Sequence, residues 1–347
     1  MSLGCASSYT ASIYTRGGKT FVMSIDDPTE IHWSRTNNAT STASCVIDGA
    51  SADCCAGLGS VDPFAHELRI DRDGVLVWQG PVVTMEYEFD KVTINAADLS
   101  VWLDRRRVLN KFERENILPE QWARKMIEQA ILRDNSMYLT YSIWSSSVGG
   151  GIDRMIRAKE FKTVASELSD LANTWIDWWV IDRTIYLAGY MFVGASASVN
   201  DSHFDEVGTI TVSGEQIGND YVVQGRGRGS AGVEKYGYSG DLGTGSYLGL
   251  HMRVLSDDNL HKVEQLDGKA SSLANKYNRL THSFSGGTLG PTFPLGVNSI
   301  TPGTVLAVSL TETCRSVSGS FRIENVKCDV NDEGEQLSIE VQRLGAG

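Results

Sequence analysis

Hydrophobic and polar positions alternate through much of the first hundred residues. Val83, Met85, Tyr87 and Phe89 fall on one side of a run whose other side carries Thr84, Glu86 and Glu88. Beyond Asp90-Lys91, Val92, Ile94 and Ala96 continue against Lys91, Thr93 and Asn95. A period of two is that of a half-buried antiparallel sheet, one face on a core and the other in water. Just upstream, His66 to Trp78 (HELRIDRDGVLVW) holds two short runs joined at Asp73-Gly74. That dipeptide supplies the positive φ that tight hairpin turns require. The first hundred residues read as strands.

The period then changes. Pro119 suits a first helical turn, where its missing N–H costs nothing. Behind it Trp122, Met126, Ala130, Ile127 and Ile131 recur at helical spacing. Phe161, Val164, Ala165, Leu168, Leu171 and Ala172 predict a second helix. Between the two, Ser145 to Gly151 (SSSVGGG) reads as a mobile loop. WIDWWVIDRTIYLAG then reads as a hairpin turned at Asp182-Arg183.

The last third returns to strands. Asn219 to Gln224 is one, and it runs into a stretch from Gly225 to Gly245 with eight glycines, too many for a packed strand or helix interior. This stretch is expected to be an assembly or gating loop. Between Leu260 and Tyr277, the positions Val263, Leu266, Ala270, Leu273, Ala274 and Tyr277 line one helical face. Val305 to Leu310, Ser320 to Val330 and Gln336 to Leu344 are strands, the last two turned at Asn331-Asp332-Glu333-Gly334. Residues 75–99 and 317–344 echo each other: long alternating strand, acidic turn, second alternating strand. Val92-Thr93-Ile94 corresponds to Leu337-Ser338-Ile339. Two related β modules flanking an α-containing middle follow from this repeat.

Composition and charge narrow the function classes. With 31 basic and 43 acidic side chains the net charge is −12, which disfavours a general grip on nucleic acid. The basic run Arg105, Arg106, Arg107, Lys111 and Arg114 reads as a solvated face or linker. Glycine is abundant (35 residues) and proline scarce (7), without a collagen period, so tight turns are many. No run approaches the ~18 apolar residues of a membrane helix, so no stable membrane insertion is expected. The N-terminal MSLGCASSYTAS lacks a basic start and an apolar segment, so no signal peptide is read there. Leu3-Gly4-Cys5 resembles a lipoprotein cleavage box without that segment.

The residues that could carry chemistry have structural explanations. Cys5, Cys45, Cys54, Cys55, Cys314 and Cys328 form no C-x-x-C and have no histidine pair beside them, so no metal site is expected and buried thiols are the reading. Cys314 and Cys328 are spaced to face each other across a hairpin, a pairing the sequence leaves open. Gly227 to Gly232 matches G-x-G-x-x-G after a strand, but no helix follows to meet a pyrophosphate. Gly18-Lys19-Thr20 lacks the opening glycine of a phosphate loop, the position being Ile13. Asp71-Arg72-Asp73-Gly74 lacks the later acids of a calcium loop. His32, His66, His203, His251, His261 and His282 are dispersed, and Gly237-Tyr238-Ser239-Gly240 misses a nucleophile elbow by one place. Trp175, Trp178 and Trp179 offer stacking faces for sugars or, alternatively, pack an aromatic strand on the preceding helix. No catalytic, cofactor or metal residue is assigned.

The order of the pieces is more specific than any site. Residues 67–105 resemble a segment of minor tail proteins of actinobacterial siphophages, in which a strand ending W-x-G-P-V is followed by an alternating hairpin and a W-L-x-x-R closure. Trp78-Gln79-Gly80-Pro81-Val82 and Trp102-Leu103-Asp104-Arg105-Arg106 match it. IDWWVIDRTIYLAG, Asn219 to Gly225, Pro302-Gly303 before a strand, and Phe321-Arg322-Ile323 before a terminal hairpin are similar to later parts of the same family. The resemblance spans about residues 60–344; the first sixty, with Cys45, Cys54 and Cys55, carry no such motif.

The resemblance implies the tail-tip (baseplate) hub fold of tailed phages: α+β, mainly antiparallel β, with two barrel-like β domains and α-containing inserts. Residues 1–105 would be the first barrel-like domain and 106–204 an α+β insert. Residues 205–235 with 295–347 would be the second barrel-like domain, and 236–294 a glycine-rich loop and helix insert. It further implies a non-enzymatic virion protein at the tail tip, assembled in the bacterial host cytoplasm. Three copies would set six similar β domains in a ring, so that a homotrimer docks on a sixfold tail tube. Expected partners are the distal tail or tail tube protein, the tape measure protein and other tail-tip proteins, with DNA only in transit. The competing readings are a tail-associated cell-wall hydrolase and a receptor- or glycan-binding tip module.

Overall fold

The computed structural model describes residues 8–49, 52–108, 112–133, 136, 138–144, 151–156, 162–190, 192–215, 217–225, 236–240, 248–257, 260, 263–278 and 280–344 of the chain. The N-terminal part forms β1 (Tyr9–Thr15), β2 (Phe21–Ile25), β3 (Glu30–Thr36), β4 (Thr42–Asp48), a short helix α1 (Ala52–Leu58), β5 (His66–Arg72), β6 (Val75–Tyr87) and β7 (Lys91–Ala97). The expectation of strands alone is corrected at α1, whose Leu58 is fully buried and anchors it to the core. The middle holds α2 (Val101–Asp104), β8 (Phe112–Ile117), α3 (Pro119–Arg133), β9 (Thr140–Ile143), β10 (Ile152–Ile156), α4 (Val164–Ala172), β11 (Ile176–Ile181) and β12 (Thr184–Gly189). There follow β13 (Ser196–Asn200), β14 (Phe204–Glu206), β15 (Thr209–Ser213), β16 (Asp220–Gly225), β17 (Tyr236–Gly240), β18 (Met252–Asp257) and α5 (Val263–Tyr277). The chain ends in β19 (Thr281–Leu289), β20 (Val305–Leu310), β21 (Val317–Asn331) and β22 (Gly334–Arg343). The fold is α+β and mainly antiparallel β, as expected. No described helix is long and apolar enough to cross a membrane.

Fourteen strands share one sheet, along the path β14-β19-β22-β21-β3-β4-β7-β6-β5-β1-β2, with β13, β15 and β20 off it. The path is open at both ends, so no barrel closes among the described residues. The W-x-G-P-V motif is the corner in this sheet. Strand β6 pairs with β5 through Pro81 and with β7 from Val82 onward. A Cβ on Gly80 would lie 2.0 Å from the Ala97 carbonyl oxygen, so only glycine fits. Pro81 has no N–H to donate, and it stands where the ladder changes partner. Likewise β21 pairs with β20 through Arg322 and with β3 from Asn325.

The Asp73-Gly74 turn forms as expected, with φ of 51° and 75°. The two echoed hairpins flank the β3–β4 hairpin, but not in matching order. Val92-Thr93-Ile94 lies beside β4, whereas Leu337-Ser338-Ile339 lies one strand further out. Alternation holds through β7 and fails at the tip: Tyr87 is half exposed and Phe89 fully so, because pairing ends at Tyr87 opposite Val92.

Three apolar cores form. The main one joins Ile13, Trp33, Ile70 and Trp78 of the N-terminal strands to Phe284, Phe321, Ile323 and Ile339 of the C-terminal ones. The second runs from Leu99 to Leu187 and contains Trp102 and Leu103, so the W-L closure packs into the insert. Thr163 caps α4, its side chain accepting from the Ser166 N–H, so the helix starts three residues later than its apolar spacing predicts. Phe161 and residues 145–150 lie outside the described residues. In the third core Leu266, Ala270 and Leu273 of α5 cover Tyr221 and Val223 of β16. Strand β16 therefore pairs with β17 and β18 in a sheet of its own, rather than with the second β module. Strand β17 falls inside the glycine-rich stretch, correcting the expectation of loop there; a backbone ladder needs no side chains. Residues 226–235 and 241–247 lie outside the described residues.

Candidate assembly site

The sequence motifs resolve into turns and packing. Gly17 and Gly18 take positive φ between β1 and β2, and the Lys19 ammonium sits 3.9 Å from the centre of the Tyr138 ring. Asp71 accepts a forked pair of bonds from Arg69; Asp73 accepts from the Ser8 N–H and from Arg72. His32 meets Asp329 and Glu30; His66 accepts from the Asp62 N–H and His203 from the Asn200 N–H; His251 contacts the Leu248 carbonyl. Among the described residues no three His, Cys, Asp or Glu side chains gather as metal ligands. The 227–232 glycine motif and His261 lie outside the described residues. Cys314 is exposed and Cys328 buried, and neither is in a disulfide, so the hairpin pairing does not form.

Trp178 and Trp179 are buried, and Trp175 packs half-buried on the insert core. Trp179 stacks on Tyr186 and Phe192, with Trp144 edge-on to it. These faces are spent on packing rather than open to sugars. Trp144, which the sequence did not single out, is 49% exposed.

Three buried polar junctions hold the parts together. At the first, Asp177 of β11 accepts from Arg322 of β21 at 2.5 Å and from Asn37 and Asn38 of the β3–β4 turn at 3.2 and 3.0 Å. Asn38, at φ 58°, also exchanges backbone and side-chain bonds with Trp178. Burial works against the Arg322 charge, but the carboxylates of Asp177 and Glu324 outweigh it and hold the guanidinium above its usual range.

At the other end of the β11–β12 hairpin, Arg183 donates to the fully buried Glu67 at 2.7 Å, and Glu67 also accepts from Gln79 and the Gly17 N–H. The insert is thus fastened to the large sheet at both ends of one hairpin. The third junction ties the N- and C-terminal strands: Arg72 donates to Glu335 at 2.9 and 2.8 Å, and Tyr9 donates to Glu335 at 2.7 Å. The Tyr9 hydroxyl lies 3.4 Å from Cys328 Sγ, and burial pushes that thiol up to about 12. Buried Arg35 donates to the carbonyls of Val297, Ile300 and Val77, burial pushing it down to about 10.

The polar face of β3, β4, β7 and β21 forms an open groove of about 610 Å³, lined among others by His32, Ser34, Thr42, Asn95, Lys327 and Asp329. What this molecule offers is therefore a multi-part scaffold joined by buried polar contacts, with polar and protruding surfaces.

No protein-family model and no curated protein matches the sequence. Solved structures match it from end to end. A tail protein from Neisseria meningitidis MC58 aligns over 96% of each chain with a TM-score of 0.67 at 13% identity. The 43 kDa tail protein of prophage MuSo2 from Shewanella oneidensis aligns over 97% of this chain and 98% of its own, with a TM-score of 0.65 at 14% identity. The E. coli c3393 protein, described as a type VI secretion component similar to T4 tail proteins gp27 and gp5, aligns over 96% of this chain and 77% of its own, with a TM-score of 0.56 at 8% identity. At such identities the likeness is one of fold: that of phage tail proteins and their hub-like relatives.

Proposed function

We propose that the chain is a structural subunit of a phage tail tip, a hub that docks on the end of the tail tube and surrounds the channel for genome delivery. The observation that carries this reading is the end-to-end match: sheet, insert and small α5 unit together cover 96% of a tail protein of nearly the same extent. The subunit acts as a homotrimer, in which paired β modules from three copies meet the sixfold symmetry of the tube. Its partners are the distal tail or tail tube protein, the tape measure protein and other tail-tip proteins, and DNA passes only in transit. It sits in the virion after assembly in the host cytoplasm. The attribution to siphophages of actinobacteria rests on the order of the sequence motifs. Buried ionic junctions suit such a role, because a docking ring needs its inserts held in one pose. The net charge of −12 supports an acidic lumen, along which like-charged DNA slides without adhering. The 225–245 segment is read as an assembly or gating element built around β17.

The test is the mass of the purified chain alone and with the distal tail protein, beside zymography on purified cell walls and glycan-array binding. A trimer that captures the distal tail protein, without wall cleavage or glycan binding, is expected. Wall hydrolysis would favour the tail-associated hydrolase, and glycan capture the receptor-binding tip module.

A further inference from the structure

Two exposed features of opposite charge and matching chemistry lie on the N-terminal module and at its border with the insert. The first is a cleft of about 490 Å³ where the β1–β2 turn and the 63–65 segment meet the insert, walled by Arg16, Phe64 and Tyr138. Lys19 stacks on the Tyr138 ring at 3.9 Å and Arg105 on the Phe64 ring at 4.2 Å. Arg16 thus lines the cleft and two further cations stack on its aromatic walls, in a chain of net charge −12, and none of the three forms an ion pair among the described residues. Both aromatic walls take positive φ, 61° for Phe64 and 49° for Tyr138, which bulky side chains rarely adopt. They are held there by the bond from the Phe64 N–H to the Val82 carbonyl and by Arg183 donating to the Tyr138 carbonyl.

The second feature is the tip of the β6–β7 hairpin. The turn is closed by the bond from the Glu88 N–H to the Lys91 carbonyl. Phe89 stands wholly in solvent, between exposed Glu88 and Asp90. A fully exposed phenylalanine between two acids is a poor surface residue and a good anchor. The tip does not reach the cleft of its own chain. Val82, which holds Phe64, lies seven residues back along β6, about 23 Å of extended strand.

We propose that the Glu88-Phe89-Asp90 tip of one copy inserts into the cation-flanked aromatic cleft of the next. Phe89 packs against Phe64 and Tyr138, while Glu88 and Asp90 meet Arg16, Lys19 and Arg105. Charge complementarity selects a second copy as occupant, since the acidic anchor and the basic cleft are both carried by this chain. The two surfaces differ, so the contact is head-to-tail and closes into a ring if the rotation per copy allows. It rests on the trimeric reading above for the number of copies, and it names the surfaces that join them.

The test is photo-crosslinking of the full chain with Phe89 replaced by benzoylphenylalanine, in an equal mixture of isotopically light and heavy protein. Mixed light–heavy crosslinks to residues 63–65, Ser136 or Tyr138 are expected, with a covalent ladder ending at three. The pair Arg16→Glu and Lys19→Glu lowers the yield about tenfold or more, and Glu88→Lys with Asp90→Lys on the crosslinking copy restores it. All four side chains are on the surface, and unchanged melting of each variant controls for folding. A trimer whose crosslinks fall elsewhere overturns this contact and leaves the trimer standing. A chain that stays monomeric and gives no light–heavy crosslink overturns both.

Discussion

Arg322 and Asp177 meet at 2.5 Å with only 3% and 2% of their side chains exposed, joining the C-terminal hairpin of the large sheet to the insert. Removing one member of such a pair strands the other's charge in the interior. Arg322→Met should cost about 3–5 kcal/mol, and adding Asp177→Asn should recover part of it. Denaturant unfolding of the two variants checks this; a loss below about 1 kcal/mol for Arg322→Met would mean that the junction holds little.

The corner at Gly80 predicts a contrast between two glycines. Gly80→Ala drives a methyl group to 2.0 Å from a backbone oxygen held in a ladder, and should destabilise by about 1–3 kcal/mol. Gly268→Ala sits inside α5 with open space around it, and should stabilise by roughly 0.5–1 kcal/mol. Thermal melting of the two variants should therefore move in opposite directions.

His32 makes the sheet sensitive to pH where β3 meets β21. Burial lowers its affinity for a proton, but its bonds to Asp329 at 2.6 Å and Glu30 at 3.3 Å outweigh this and raise it above the ordinary 6.5. The sign follows from linkage: a raised folded value contributes stability that is complete below 6.5 and is lost as pH rises through the folded value. Lys327 on the same groove face is paired with Glu340 at 2.6 Å. The stability difference between wild type and His32→Gln should shrink as pH rises above 6.5. An NMR titration midpoint for His32 at or below 6.5 would contradict this.

Two tryptophans of one cluster differ in burial, Trp179 inside it and Trp144 half exposed. Trp179→Ala empties a site between Tyr186 and Phe192 and should cost about 3–5 kcal/mol. Trp144→Ala, at the exposed rim of the same cluster, should cost clearly less in the same melting experiment.

What the sequence showed and what it hid have physical reasons. The alternation of Val92, Ile94 and Ala96 was readable because one face of β7 is buried and the other is not. Phe89 continues the same pattern on paper, yet it lies past the last paired residues, and period alone does not say where a ladder stops. Strand β16 has the same pattern whichever sheet receives it; its neighbours are decided by α5, far along the chain. The W-x-G-P-V motif stood out in the sequence, and the fold gives it a reason: it encodes a corner that only glycine fits. The buried junctions did not stand out, since Arg322 and Asp177 are single charges among apolar neighbours, and a lone charge in a strand reads as a solvent position. Their partners stand 145 residues apart.

The most direct test of the hub reading is a cryo-EM reconstruction of the particle that carries this chain. Three copies around the axis at the tail tip are expected, seated on the last ring of the tube, with the large sheets forming the wall of the channel. A single copy, or copies placed away from the axis, would contradict it.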